Sequence, residues 1–284
     1  MEDVLHQNQY CGRNGKTIYD AVVTVRDIIA YAEDTNISIC VLSIDFSDAF
    51  DKISHTYLFE ILREKGIISA NFCQCLRNIY ADSTSILTMN GHKSKPIKIL
   101  SGVQQRCPLS MLLIETCINP LLINLDRKLQ GIKVRHNSNK TTAIAYADDI
   151  TIIIRHPDEI DDIREILQDY MKATGAHINE NKSHAPALGS WTKSVPIVNI
   201  KYDDNIKILG FHMTTNSKNS AKLSRAMLTT KIRTQAQDNY HRALNLESRI
   251  RYVVILATAW YTTRIPPPPT NCVRQINAAL SYFI

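Results

Sequence analysis

A chain of 284 residues with 44% hydrophobic and 21% charged residues can bury a sizeable core, which excludes a disordered or low-complexity protein. A formal charge of +6 admits a polyanionic partner without requiring one. Seven cysteines with no Cys-x-x-Cys pair argue against a disulfide framework or a structural zinc; with no signal peptide and no apolar run of membrane-spanning length, they read as reduced core thiols of an intracellular protein, nuclear or cytoplasmic.

The chain opens on a polar stretch in which Gly12, Arg13, Gly15 and Lys16 read either as a plain loop or as amides and cations suited to a phosphate. Ile18, Val22, Val25, Ile28 and Ile29 then recur at helical spacing and predict an amphipathic helix over 17–32. The run 37–44, Ile-Ser-Ile-Cys-Val-Leu-Ser-Ile, predicts a buried strand ending on Asp45, where mixed folds present active-site groups. Asp48 and Asp51 read as turn and helix-start carboxylates ahead of a helix carrying Tyr57, Leu58, Ile61 and Leu62 that stops near Gly66. A shorter helix is predicted over 72–79.

Asn90-Gly91, between 85–89 and 96–100, is the pair that a type I′ turn favours, and it predicts a hairpin made basic by Lys93, Lys95 and Lys98. Pro108 suits the first turn of a long apolar helix over 109–129, with a kink expected at Pro120. Glu115 is out of place on that apolar surface. A later helix over 158–174 has Asp158 as its expected cap and Gly175 as its terminator. After a further hairpin, 198–202 with 206–211, nine Lys or Arg stand against Asp238 and Glu247 between Lys207 and Arg251. Such a basic helical region suits a phosphate backbone. The whole order predicts an α+β fold, an antiparallel sheet with helices on one face.

At the centre lies 144–154, two apolar runs meeting at Asp148-Asp149. This predicts a hairpin with both carboxylates at the turn. Taken alone, the dipeptide reads equally as a metal site or as an exposed turn. With Asp45 brought to the same end of adjacent strands, three hard oxygen donors would suit magnesium shared with substrate phosphates. Two ions about 4 Å apart could activate a 3′-hydroxyl and stabilise departing pyrophosphate.

Tyr146-Ala147-Asp148-Asp149 resembles the signature of reverse transcriptases, and the wider chain resembles the polymerase of non-LTR (LINE-like) retrotransposons. Further stretches follow in the family's order: 8–12 (Asn-Gln-Tyr-Cys-Gly), 42–51 (Leu-Ser-Ile-Asp-Phe-Ser-Asp-Ala-Phe-Asp), 102–110 (Gly-Val-Gln-Gln-Arg-Cys-Pro-Leu-Ser), 175–183 (Gly-Ala-His-Ile-Asn-Glu-Asn-Lys-Ser) and 207–210 (Lys-Ile-Leu-Gly). The resemblance implies a right-hand polymerase palm over 37–205, a remnant of fingers over 1–36, and a primer-grip hairpin with a partial helical thumb over 206–284. It implies an RNA-directed DNA polymerase that uses two magnesium ions, dNTPs, an RNA template and a DNA primer. Asp45 and Asp148 would hold the ions with Asp149 assisting, and Lys182 would protonate pyrophosphate. Phe50 would exclude a 2′-hydroxyl; Gln105, Arg106 and Tyr146 would lie against nucleotide and template. Ile208, Leu209 and Gly210 would grip the primer end. The family pattern has glycine at the position of Arg106, where a side chain would obstruct close approach of backbone to substrate. On this resemblance the chain is a partial copy, opening inside the fingers and closing after the thumb, and the alternative is an inactive remnant that retains at most nucleic-acid binding.

Overall fold

A computed structural model describes residues 5–214, apart from 65–68, 106, 135–138, 192–198, 201 and 204, together with residue 274. The first helix, α1 (Ile18–Asp34), begins where Thr17 and Asp20 close a reciprocal capping box, each side chain accepting from the other's backbone N–H. Next comes β1 (Ile39–Ile44), buried at every position, then the short β2 (Phe46–Ser47), α2 (Ala49–Lys52), α3 (His55–Glu64) and α4 (Ala70–Ala81). The predicted hairpin is two offset pairs, β3 (Thr84–Ser85) with β6 (Ile97–Lys98) and β4 (Thr88–Met89) with β5 (His92–Lys93). Their registers differ by one residue, so a bulge separates them. Asn90 and Gly91 both take positive φ, 51° and 82°, as a type I′ turn requires.

α5 (Pro108–Lys128) is one helix through Pro120. It is long and apolar enough to cross a bilayer by composition alone, contrary to the reading of the bare sequence, yet most of that stretch is buried inside the protein. The central hairpin is β7 (Ala143–Tyr146) and β8 (Asp149–Ile154), followed by α6 (Glu159–Thr174), β9 (His177–Ile178), β10 (Ala187–Leu188), β11 (Asn205–Ile208) and β12 (Phe211–Thr214). Asp158 makes no side-chain cap for α6. The buried Glu159 instead ties down the chain around the start of the helix: its carboxylate accepts from the backbone N–H of Arg155 at 2.7 Å, His156 at 3.3 Å and Gln130 at 2.6 Å. Gly175 ends the helix in the left-handed conformation, φ 79°, as predicted.

The main sheet has the order β10-β1-β8-β7, all antiparallel. Leu42 pairs with Ile152 and Ile44 with Ile150; with Cys40, Ile154 and Ala145 they share one buried cluster with Leu58 and Leu62 of α3, Leu113 and Leu121 of α5, and Ile163 and Leu167 of α6. The alternate residues Ile39, Val41, Ile144 and Ile153 join a second cluster with Val22, Val25, Ile28 and Ile29 of α1. Helices therefore cover both faces: α3, α5 and α6 on one, α1 on the other. That is why β1 and β8 read as near-continuous apolar runs instead of alternating ones. Ile208 and Phe211 of the β11–β12 hairpin belong to the second cluster too.

Candidate active site

β1 and β8 pair from Cys40↔Ile154 to Ile44↔Ile150, so the ladder ends one residue short of Asp45 on one strand and of Asp149 on the other, and both aspartates lie at the same end of the sheet. The sequence pattern put both aspartates in the turn. In the structure Asp149 is the first residue of β8, paired with Tyr146, and the two-residue turn is Ala147-Asp148. Ala147 carries the cost of that tight connection, at φ 54° in the left-handed region. Burial raises the pKa of Asp149 to about 6, with the charges of Asp148 and then Asp45 adding to it and Lys207 opposing. Asp148 is raised as well, by burial first and by Asp45 after it. Asp45 thus acts on both members of the Asp148-Asp149 pair.

Asp45 is clamped through its backbone by the loop after α6. Its N–H donates to Ser183 Oγ at 3.1 Å, and its carbonyl accepts from the Asn179 N–H at 2.8 Å. Ser183 Oγ in turn donates to the Asn179 carbonyl at 2.8 Å. The same loop brings Lys182 Nζ to 3.9 Å from Asp45 Oδ2. Neither Asn179 nor Ser183 was singled out as a functional residue from sequence, although both lie within the stretch 175–183. A hydroxyl that bonds backbone across the fold leaves no periodic signal.

A second missed contact comes from the N-terminal segment. Gln9 bridges Ala145 in parallel fashion, and its side-chain Oε1 accepts from the Ala147 N–H at 3.2 Å. Arg13 and Lys16, read as possible phosphate groups, are engaged locally: Arg13 Nη1 donates to the His6 carbonyl at 3.0 Å, and Lys16 Nζ lies 4.2 Å from the Tyr10 ring centre. Tyr146, the last residue of β7, is half-buried beside Cys11 and Glu115. Glu115 is fully buried on α5, and neither carboxylate oxygen meets a hydrogen-bond partner at good geometry. Burial raises its pKa, with the Cys11 thiol opposing.

Phe50 lies on α2, partly buried against the main core. Gln105 Nε2 donates to Asp51 Oδ2 at 3.0 Å, and the chain leading to it is fixed by Gly102, whose N–H donates to the Ile53 carbonyl at 2.8 Å. Leu209 and Gly210 form the turn of the β11–β12 hairpin, both at positive φ, 49° and 83°, between the paired Ile208 and Phe211. Lys207 of that hairpin reaches the field of Asp149, so the hairpin and the carboxylates share one neighbourhood. Arg106 and nearly all of the basic region 207–251 lie outside the described residues.

Among the described residues, no three His, Cys, Asp or Glu side chains are drawn into a closed ligand set. Magnesium is commonly held by one or two carboxylates together with substrate phosphates and water, so an open pair of facing aspartates fits it. The repulsion that Asp45 exerts on Asp148, and that Asp148 and Asp45 exert on Asp149, is what a divalent cation would relieve.

The family described as "Reverse transcriptase (RNA-dependent DNA polymerase)" matches residues 1–213. Among curated relatives, the transposon TX1 149 kDa protein of Xenopus laevis is 26% identical over the whole chain, and the Pol polyprotein of the R2DM retrotransposable element of Drosophila melanogaster is 24% identical over 69% of it. The chain spans only 22% and 20% of those two proteins. Apo telomerase from Candida Tropicalis superposes with a TM-score of 0.54 at 11% identity, covering 99% of this chain and 51% of that one. A telomerase of the same source in complex with a fragment of telomeric RNA gives 0.53 at 13% identity, covering 94% and 47%. These likenesses show a shared α+β polymerase palm. With the family match over three quarters of its length, the chain belongs to the reverse transcriptase (RNA-dependent DNA polymerase) family.

Proposed function

We propose that this chain is the RNA-directed DNA polymerase module of a non-LTR retrotransposon, transferring a nucleotide from dNTP to a primer 3′-OH paired with an RNA template. One observation supports the reading: the β1–β8 ladder ends beside Asp45 on one strand and Asp149 on the other, with Asp148 in the adjoining turn. Asp45 and Asp148 would hold magnesium, two ions in all, with Asp149 assisting. When bound, magnesium lowers the pKa of an attacking hydroxyl and stabilises charge on the departing pyrophosphate. Lys182 would give its proton to that leaving group, a role supported by its 3.9 Å distance from Asp45 Oδ2. Phe50 is the sugar gate, Gln105 and Tyr146 serve nucleotide and template, and the Ile208-Leu209-Gly210 turn steadies the primer end. On this reading, 1–36 belongs to the fingers, 37–205 to the palm, and 206–284 to the primer grip and thumb.

A second reading, a catalytically inactive remnant, is favoured by Arg106 at the position where the family pattern has glycine. Primer extension on poly(rA)/oligo(dT), run beside Asp148→Asn, separates the two. Incorporation abolished by the substitution supports the polymerase; incorporation that survives it sinks the metal assignment. No incorporation by either chain, with salt-sensitive RNA binding retained, supports the inactive reading.

A further inference from the structure

The stretch 8–12 has no assigned role beyond its place in the family order, yet it is built into the catalytic hairpin. Asn8 to Tyr10 runs along the outer edge of β7: the Ala145 N–H donates to the Asn8 carbonyl at 2.9 Å, and the Tyr10 N–H donates to the Ala145 carbonyl at 2.8 Å. Between these bonds Gln9 is 1% exposed. Its Oε1 accepts twice, from its own segment at the Cys11 N–H and from the turn at the Ala147 N–H, both at 3.2 Å.

The second bond matters because of where it falls. In a two-residue hairpin turn the N–H of the first turn residue has no place in the strand ladder, so an outside acceptor must satisfy it once buried. Ala147 occupies that position at φ 54°, a conformation an alanine adopts only when its surroundings dictate it. Fixing the Tyr146–Ala147 peptide plane fixes the direction in which the next residue, Asp148, leaves the turn.

The cost of the arrangement is visible on the same side chain. Gln9 Nε2 is buried with no hydrogen-bond partner. An apolar residue of equal length would fill the space without an orphaned amide, so packing alone does not account for glutamine here. Both bonds made by the side chain are to N–H donors, which identifies the accepting atom as oxygen.

We propose that Gln9 is a positioning residue for the polymerase, acting through the Ala147 N–H to hold Asp148 in its metal-binding direction. This rests on the polymerase reading above. The full chain is compared with Gln9→Met, which keeps the length and loses the acceptor, and Gln9→Glu, which keeps an acceptor oxygen. Primer extension on poly(rA)/oligo(dT) is read together with Mn2+ titration by water proton relaxation and deuterium exchange at the Ala147 amide.

Gln9→Met is expected to lower kcat about tenfold, the equivalent of one or two neutral hydrogen bonds. KM for dTTP stays within about twofold, because the loss falls on the reacting geometry and not on nucleotide binding. Mn2+ binding weakens, exchange at Ala147 quickens, and Gln9→Glu restores most of kcat. Wild-type kcat and Mn2+ affinity in Gln9→Met, whatever its melting temperature, overturns the Gln9 role, as does Gln9→Glu performing no better than Gln9→Met. A wild-type chain that neither extends the primer nor binds Mn2+ overturns the polymerase reading and the Gln9 role with it, whereas the other two results overturn the Gln9 role alone.

Discussion

Lys182 Nζ stands 3.9 Å from Asp45 Oδ2, across the join between β1 and the loop that follows α6. Both side chains are well exposed, so the pair contributes little to stability, and removing it is expected to change unfolding free energy by less than about 0.5 kcal/mol. If Lys182 serves as the proton donor to pyrophosphate, Lys182→Ala lowers kcat by roughly 100-fold. Urea melts beside single-turnover extension test this directly. A stability loss matching the activity loss would make the lysine structural.

The facing aspartates predict a stabilising response to divalent cations. Asp45 raises the affinity of Asp148 for protons, Asp148 and Asp45 raise that of Asp149, and a bound ion removes that repulsion. Mg2+ or Mn2+ at about 100 times its Kd should add roughly 2.7 kcal/mol to the stability of the folded chain. Asp45→Asn together with Asp148→Asn should abolish the gain. An equal rise in melting temperature in that double variant would place the ion elsewhere.

Glu115 predicts a pH dependence. Its folded-state pKa is raised by burial, so the folded state holds the proton more tightly than the unfolded chain. Its contribution is therefore intact below the unfolded carboxylate value and is lost as pH rises through the folded value. Glu115→Met removes the unpaired carboxyl at similar volume and should stabilise the chain by about 1–3 kcal/mol at pH 8, less at pH 5. Melting temperatures of the two proteins across that range check it; a difference that shrinks as pH rises would contradict the assignment.

Two glycines at left-handed φ separate backbone strain from steric collision. A Cβ at Gly102, φ 87°, would sit 2.7 Å from the Asp51 carbonyl oxygen and 2.8 Å from Asp51 Cα. A Cβ at Gly175, φ 79°, would meet only the Lys52 carbonyl, at 3.2 Å. Gly175→Ala is expected to cost about 1 kcal/mol from conformation, and Gly102→Ala about 3 kcal/mol because packed backbone must also move. Similar denaturation midpoints for the two variants would contradict the difference.

Phe50 offers a test of substrate choice. If its ring stands beneath the sugar, Phe50→Ala raises the efficiency of ribonucleotide incorporation relative to dNTP by roughly 100-fold. The same substitution trims a partly buried side chain at the edge of the core and costs about 1–2 kcal/mol of stability. Competitive incorporation of UTP against dTTP reads the first effect apart from the second. Unchanged discrimination would remove Phe50 from the site.

Much of the site was legible in the chain itself. The apolar runs around Asp148-Asp149, the strand ending on Asp45, the helical stripe of α6 with its Gly175 stop, and the Asn90-Gly91 turn are all local patterns, encoded by residues within a few positions of one another. The order of these motifs along the chain carried the family. What the sequence left open was set by contacts between distant segments. Strand pairing chose Asp149 as the first ladder residue and left only Asp148 in the turn. Packing laid α1 over the second face of the sheet. Burial of Glu159 made it, and not the neighbouring Asp158, the acceptor for the α6 entry. The hold of Ser183 on Asp45 and of Gln9 on Ala147 depends on where single oxygen atoms come to rest across the fold. Periodicity reports which face of an element is buried; it does not report which partner buries it, and at this site the partner decides where each carboxylate points.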